Sequence, residues 1–146
     1  MTGLHDVRRR VEHVDTDAGG VVHFSRYASL LETALLDNLE RLGVGVGALV
    51  DAGLDLTVTE LQVRYRAPAK FPDPLRIAVR VQRLGGAYCQ IAGAVHRESG
   101  GVRGGDLLAD GSLRICVTRR SDGAATALPD PLRAALRDCL NGDPDG

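Results

Sequence analysis

The sequence predicts an α+β domain in which one curved antiparallel sheet wraps a single long helix. Three observations carry that expectation. A broad apolar face repeats with helical period after Ser25. From residue 56 onward the pattern changes to period two. Glycine-rich punctuation separates the segments. The 146 residues suit one domain, taken as 1–142 with a disordered tail at 143–146.

The elements follow in order. Residues 5–14 form a short, arginine-rich strand candidate. A turn-rich stretch, DTDAGGVV, comes next. Ser25 is placed to cap a helix running to about residue 42, with Tyr27, Leu30, Leu31, Ala34, Leu35, Leu39 and Leu42 on one face. Gly43 ends it and a glycine-rich connector spans 43–53. In LTVTELQVRYRAPA, strict alternation puts Thr57, Thr59, Leu61, Val63 and Tyr65 toward a core and Val58, Glu60, Gln62, Arg64 and Arg66 outward, until Pro68 ends the strand. Further strands are expected at 75–84, 88–97 and 107–119, the first two joined by a tight turn at Gly85-Gly86. A looser connection with four glycines fills 98–105, and 131–140 suits a short helix.

Composition narrows the function. Hydrophobic residues make up 44% and aromatic ones only 3%, so the core must be aliphatic. A net charge of -1 argues against nucleic-acid binding driven by bulk charge. No run approaches the roughly 18 apolar residues of a membrane span, and the N-terminus lacks a signal-peptide core, so a cytoplasmic setting is expected. Cys89, Cys116 and Cys139 are odd in number and far apart, which suits reduced thiols rather than disulfides or a zinc site. GxSxG, P-loop, GxGxxG and HExxH patterns are absent.

The titratable groups concentrate in one place. His13, Asp15, Asp17 and His23 bracket the glycine turn just before the helix. A helix N-terminus offers unpaired N–H groups that can polarise a carbonyl and hold the oxyanion formed on attack. A nearby carboxylate can attack that carbonyl or deprotonate water. A strand-to-helix turn without chemistry has the same composition, since Asp and Gly are common turn residues.

RVEHVDTDAGGVVHFSRYASLLETALLDNLERLG resembles the signature segment of the 4-hydroxybenzoyl-CoA thioesterase family of hotdog-fold proteins, and in particular bacterial short acyl-CoA thioesterases with a DTDAGGVVYHxxY motif. VRYRAPAKFPDPLRI is similar to a second family segment. The resemblance spans about residues 5–120 and implies a thioesterase acting on an acyl thioester of coenzyme A or of an acyl carrier protein, without metal or organic cofactor, assembled as a homodimer or homotetramer. It implies that Asp17 is the catalytic carboxylate, as nucleophile or as general base. Gly20, Val22 and Phe24 belong to the turn that positions the thioester carbonyl, with the Phe24 amide as the favoured donor. Asp15 is read as a structural turn residue.

Two departures matter. The family's His position is Phe24 here, with His23 one residue earlier. His13 stands where relatives often carry Tyr; it is either a partner of Asp17 or a packed strand residue. Glu32 either lines the acyl pocket or sits on a solvated helix flank. Residues 60–83 hold six basic against two acidic side chains, so Arg64, Arg66 and Lys70 are candidates for coenzyme A or carrier-protein contact, against the alternative of ordinary surface charge. Phe24 and Tyr27 are the first side chains expected to touch substrate. Two rivals stay open: a hotdog acyl-thioester-binding protein without turnover, and an acyl-thioester hydratase or dehydratase, whose D-x-N-x-x-H motif is missing.

Overall fold

The computed structural model describes residues 3–98 and 105–141. The expected tail at 143–146 and most of the 98–105 connection lie outside the described residues. The elements are β1 (Val7–Arg10), a 3-10 turn (His13–Asp15), α1 (Arg26–Arg41), α2 (Val46–Asp51), β2 (Leu54–Tyr65), β3 (Pro74–Leu84), β4 (Tyr88–Arg97), β5 (Leu107–Arg119), β6 (Ala125–Thr126) and α3 (Asp130–Asn141). One antiparallel sheet runs β1-β3-β4-β5-β2, with β6 paired to β5.

The apolar stripe explains α1. Tyr27, Leu30, Leu31, Ala34, Leu35 and Leu39 are buried, and the helix crosses β3 and β4. Gly93 of β4 permits that approach, since a Cβ there would stand 2.6 Å from Leu31 Cδ2. Tyr27 is the lone aromatic among the buried core residues described; the remainder is aliphatic, with two cysteines. Asn38, buried on the same helix, ties down the N-terminal approach: its Oδ1 accepts the His5 N–H at 2.7 Å and its Nδ2 donates to the His5 carbonyl at 3.0 Å. Such bonds are what a buried amide requires.

Several expectations are corrected. The strand expected over 5–14 is paired only over Val7–Arg10, because the chain then turns around the Asp15 carboxylate. The 43–53 connector contains α2, whose Leu49 is buried against the core. The hairpin tip is Gly86-Ala87, since the Gly85 N–H already donates to the Tyr88 carbonyl at 2.9 Å. The strand expected to reach Pro68 ends at Tyr65.

The largest correction concerns β2. A bulge between Val58 and Glu60 inserts one residue, Thr59, and inverts the alternation. Val58 therefore pairs with buried Ile115, Leu61 with buried Leu113, and Thr57 with Cys116 on the other face. The core-facing set is Leu56, Val58, Leu61, Val63 and Tyr65, and Thr57 leaves it. This strand is also an edge, reached last by α1, so Leu61 is 50% and Tyr65 53% exposed.

His96 on β4 has a buried Nδ1 with no hydrogen-bond partner among the described residues. Burial, then the Arg76 charge, hold its imidazole below the ordinary value, against the pull of Asp6. The folded chain binds this proton less tightly than the unfolded chain, so protonation favours unfolding. Stability is expected to fall as pH drops below about 6.5 toward the depressed folded value. Melting curves between about pH 7 and about pH 5 should flatten in His96→Gln. An unchanged slope in that variant would remove His96 from the account.

Candidate active site

The site begins with Asp15. It is 3% exposed, and its carboxylate takes the Arg9 guanidinium at 3.1 and 3.0 Å and the Glu12 N–H at 2.9 Å. Arg26 from α1 approaches at 3.7 Å. The Asp15 backbone carbonyl accepts the His23 N–H at 2.9 Å. One residue thus fixes both the 3-10 turn and the entry to α1. The structural reading of Asp15 holds, and it does more than shape a turn.

Between those anchors the chain makes a small hairpin. Thr16 bridges Val22, and Val21 bridges Lys70. The Asp17 N–H donates to the Val21 carbonyl at 2.9 Å, and the Gly20 N–H returns to the Asp17 carbonyl at 3.0 Å. Gly20 has φ +82°, a left-handed geometry that suits glycine. Asp17 is exposed, and Oδ1 accepts the Gly19 N–H at 2.8 Å. At Gly19 an added Cβ would lie 3.2 Å from that oxygen. The carboxylate is therefore oriented yet open to a reactant.

The helix entry completes the arrangement. Ser25 precedes α1 but does not cap it with its side chain; Oγ pairs with His23 Nδ1 at 2.8 Å. The Ser25 N–H also points to that ring nitrogen, at 3.2 Å. The Phe24 N–H has no protein acceptor among the described residues, which leaves it available to a carbonyl oxygen. No acidic side chain occupies the first turn of α1 to quench the helix field.

A groove of about 310 Å³ opens beside this entry, lined by Val22, Phe24, Tyr27, Tyr65, Arg66, Ala67 and Pro68. Tyr27 and Tyr65 meet edge to face at 5.4 Å. The Tyr65 hydroxyl donates to the Phe24 carbonyl at 3.1 Å, and the Tyr27 hydroxyl accepts the Ala69 N–H at 3.3 Å. Burial keeps the Tyr27 phenol above its ordinary value, so it acts as a neutral wall.

The remaining candidates separate. His13 packs edge-on against Phe71 at 5.9 Å, and His23 stacks on Phe24 at 4.4 Å. Among the described residues neither imidazole hydrogen-bonds Asp17. Glu32 is exposed on α1 without a charge partner among the described residues. Arg64 lies apart, in a depression of about 500 Å³ on the outer sheet face with Arg80 and His96. Arg66 reaches the groove, but Asp110 already holds it at 3.0 and 3.3 Å. That pairing draws the Asp110 carboxyl below its usual range. Lys70 sits beside the hairpin through its bridge to Val21. Cys89 is excluded as a nucleophile, because burial pushes its thiol up to about 12. Among the described residues no group of His, Cys, Asp and Glu is placed to hold a metal, and no helix is long and apolar enough to cross a membrane.

Arg9 and Arg26 were not anticipated. A signal for Arg9 existed: in VRRR the alternation that turns Val7 inward also turns Arg9 inward, and an inward cation needs an acidic partner.

Residues 11–136 match the model of the thioesterase-like superfamily. The chain belongs to that superfamily. A 1,4-dihydroxy-2-naphthoyl-CoA hydrolase of Thermosynechococcus vestitus is 32% identical over 93% of this chain and 90% of its own length. The crystal structure of protein TT1821 from Thermus thermophilus superposes with a TM-score of 0.79 at 33% identity, covering 90% of this chain and 96% of that one. A DHNA-CoA thioesterase from Staphylococcus aureus superposes at 0.83 with 19% identity over 94% of this chain and 90% of its own, a likeness of fold. The superfamily's hotdog architecture, a long helix in a wrapped antiparallel sheet, is the one this chain adopts.

Proposed function

We propose that the chain hydrolyses acyl thioesters of coenzyme A, the activity that the name of its Thermosynechococcus relative gives to that protein. The observation that carries this reading is the exposed Asp17 carboxylate, fixed in a hairpin directly before an unsatisfied helix-entry amide at Phe24. The thioester oxygen accepts the Phe24 N–H and gains charge there as the carbonyl carbon is attacked. Attack comes from Asp17 itself or from water that Asp17 deprotonates. The carbon–sulfur bond then breaks and the thiolate takes up the proton that water gives up. Where Asp17 attacks directly, water cleaves the resulting mixed anhydride, so either route consumes one water, releases the carboxylic acid and restores the Asp17 carboxylate. No cofactor takes part.

The groove of about 310 Å³ lies at the small end of ligand pockets. Its outer wall is open, with Phe24 64% and Tyr65 53% exposed. Val58, Leu61 and Tyr65 also leave the edge strand β2 with uncovered apolar side chains. We read this as the face where a second copy completes the site, making the working unit a homodimer or a homotetramer built from it. Lys70, beside the hairpin, is the basic residue best placed for a phosphate of coenzyme A, while Arg66 is spent on Asp110. An acyl carrier protein would meet the same basic stretch.

The test is thiol release from short, medium-chain and aromatic acyl-CoA thioesters, with the matching carrier-protein thioesters in parallel. Release from at least one coenzyme A thioester is expected. Binding without release from any thioester of either carrier would overturn hydrolysis in favour of an acyl-thioester-binding protein.

A further inference from the structure

We infer that the cavity between β1, β3 and the start of α1 binds a small organic carboxylate. It holds about 210 Å³. Arg9, Arg26, Ser29 and Thr33 supply its polar lining, and Leu30 and Ile77, both buried, its floor. Arg26, Ser29 and Thr33 recur at intervals of three and four along α1, so they share one face. Arg9 enters from β1 as the inward member of the alternation.

The charge in this cavity does not balance. A single carboxylate, Asp15, serves both guanidiniums. It engages Arg9 through Nη2 alone, at 3.1 and 3.0 Å. Arg26 is held loosely: Nε stands 3.7 Å from Asp15 Oδ1, and Nη2 reaches the Val14 carbonyl at 3.4 Å. Among the described residues neither the Ser29 nor the Thr33 hydroxyl makes a side-chain hydrogen bond, and no acidic side chain is among the residues that line the cavity. Two cations against one anion, spare guanidinium N–H groups and two free hydroxyls select a monoanion. A guanidinium fork fits a carboxylate in particular. The apolar floor selects a short hydrocarbon body, which inorganic phosphate lacks. The acid released by the hydrolysis proposed above belongs to this class; naming it as the source rests on that reading, whereas the site itself does not.

The test is titration of the full chain with butyrate, benzoate and inorganic phosphate, followed by calorimetry and amide chemical shifts, without turnover. Saturable binding of butyrate or benzoate is expected, with shifts centred on residues 26–33 and phosphate at least about ten-fold weaker. Arg26→Gln should weaken the carboxylates by about ten-fold, and Thr33→Val should weaken them by a smaller factor. The long contacts of Arg26 make its variant foldable, and Thr33→Val reads the same site should it not fold. Binding indifferent to both substitutions, absence of saturable binding, or phosphate binding as tightly as butyrate each overturn the inference. A catalytically silent chain that still binds the carboxylates leaves it standing while the hydrolase reading falls.

Discussion

Replacing Asp17 by Asn is expected to lower kcat for thioester cleavage by about 10²–10⁴-fold, the range for losing a positioned acid–base group. The thermal midpoint should stay within about 2 °C of the parent, as for a surface substitution. Both halves follow from geometry. Asp17 is exposed and its carboxylate makes one side-chain bond, accepting the Gly19 N–H at 2.8 Å. The amide oxygen of Asn accepts that N–H equally well, so the hairpin keeps its shape. What disappears is the negative charge that attacks the carbonyl or takes a proton from water. KM should change little, because the groove walls from Phe24, Tyr27 and Tyr65 are untouched. Steady-state kinetics with the best coenzyme A substrate, beside a melting curve, check both. A variant that keeps the parent's kcat moves the chemistry away from Asp17.

Much of this site was legible before any coordinates. The DTDAGGVV turn, the helix after Ser25 and its apolar stripe are local patterns, and local patterns survive folding. The clustering of the few aromatics was legible too: Tyr65 bonds Phe24, Tyr27 packs on Tyr65, and Phe71 packs on His13. The β2 faces were not legible, because one bulged residue at Thr59 inverts a period-two reading and nothing in LTVTEL marks it. Nor was the sheet order, since β2 pairs with β5 across half the chain instead of with its sequence neighbour β3. The ring positions of the imidazoles were not legible either. Adjacency in sequence placed His13 and His23 beside Asp17, but their rings follow the backbone to Phe71 and Ser25. Arg64 and Arg66 stand two positions apart, the spacing of one strand face, but β2 ends at Tyr65, so Arg64 lines the depression on the outer sheet face while Arg66 lines the groove.

The second large effect is on stability, and it falls on the other aspartate of the same motif. Asp15→Ala should cost about 1–3 kcal/mol, the range for stranding a buried donor and losing charged hydrogen bonds. For a chain of this size about 2 kcal/mol corresponds to a midpoint lowered by about 4–8 °C. A fully buried ion pair broken on one side costs more, about 3–5 kcal/mol, because the surviving charge cannot reach water. Here it can: the Arg9 side chain is 35% exposed and Arg26 41%. The loss therefore rests chiefly on the Glu12 N–H, which donates to Asp15 Oδ2 at 2.9 Å, and on the grip that joins the 3-10 turn to α1. Asp15→Asn keeps an acceptor for that N–H and should lose less than Asp15→Ala. Adding Arg9→Gln to Asp15→Ala should cost less than the two single losses together, since the pair is already broken. Urea unfolding of the parent, the three single variants and the double variant measures the series. Equal midpoints for parent and Asp15→Ala would show that the buried carboxylate is not what holds the hairpin. The expected opposite pattern, stability lost at Asp15 and activity lost at Asp17, separates two aspartates that stand two positions apart: one faces inward and holds the loop, the other faces outward, where the proposed chemistry needs it.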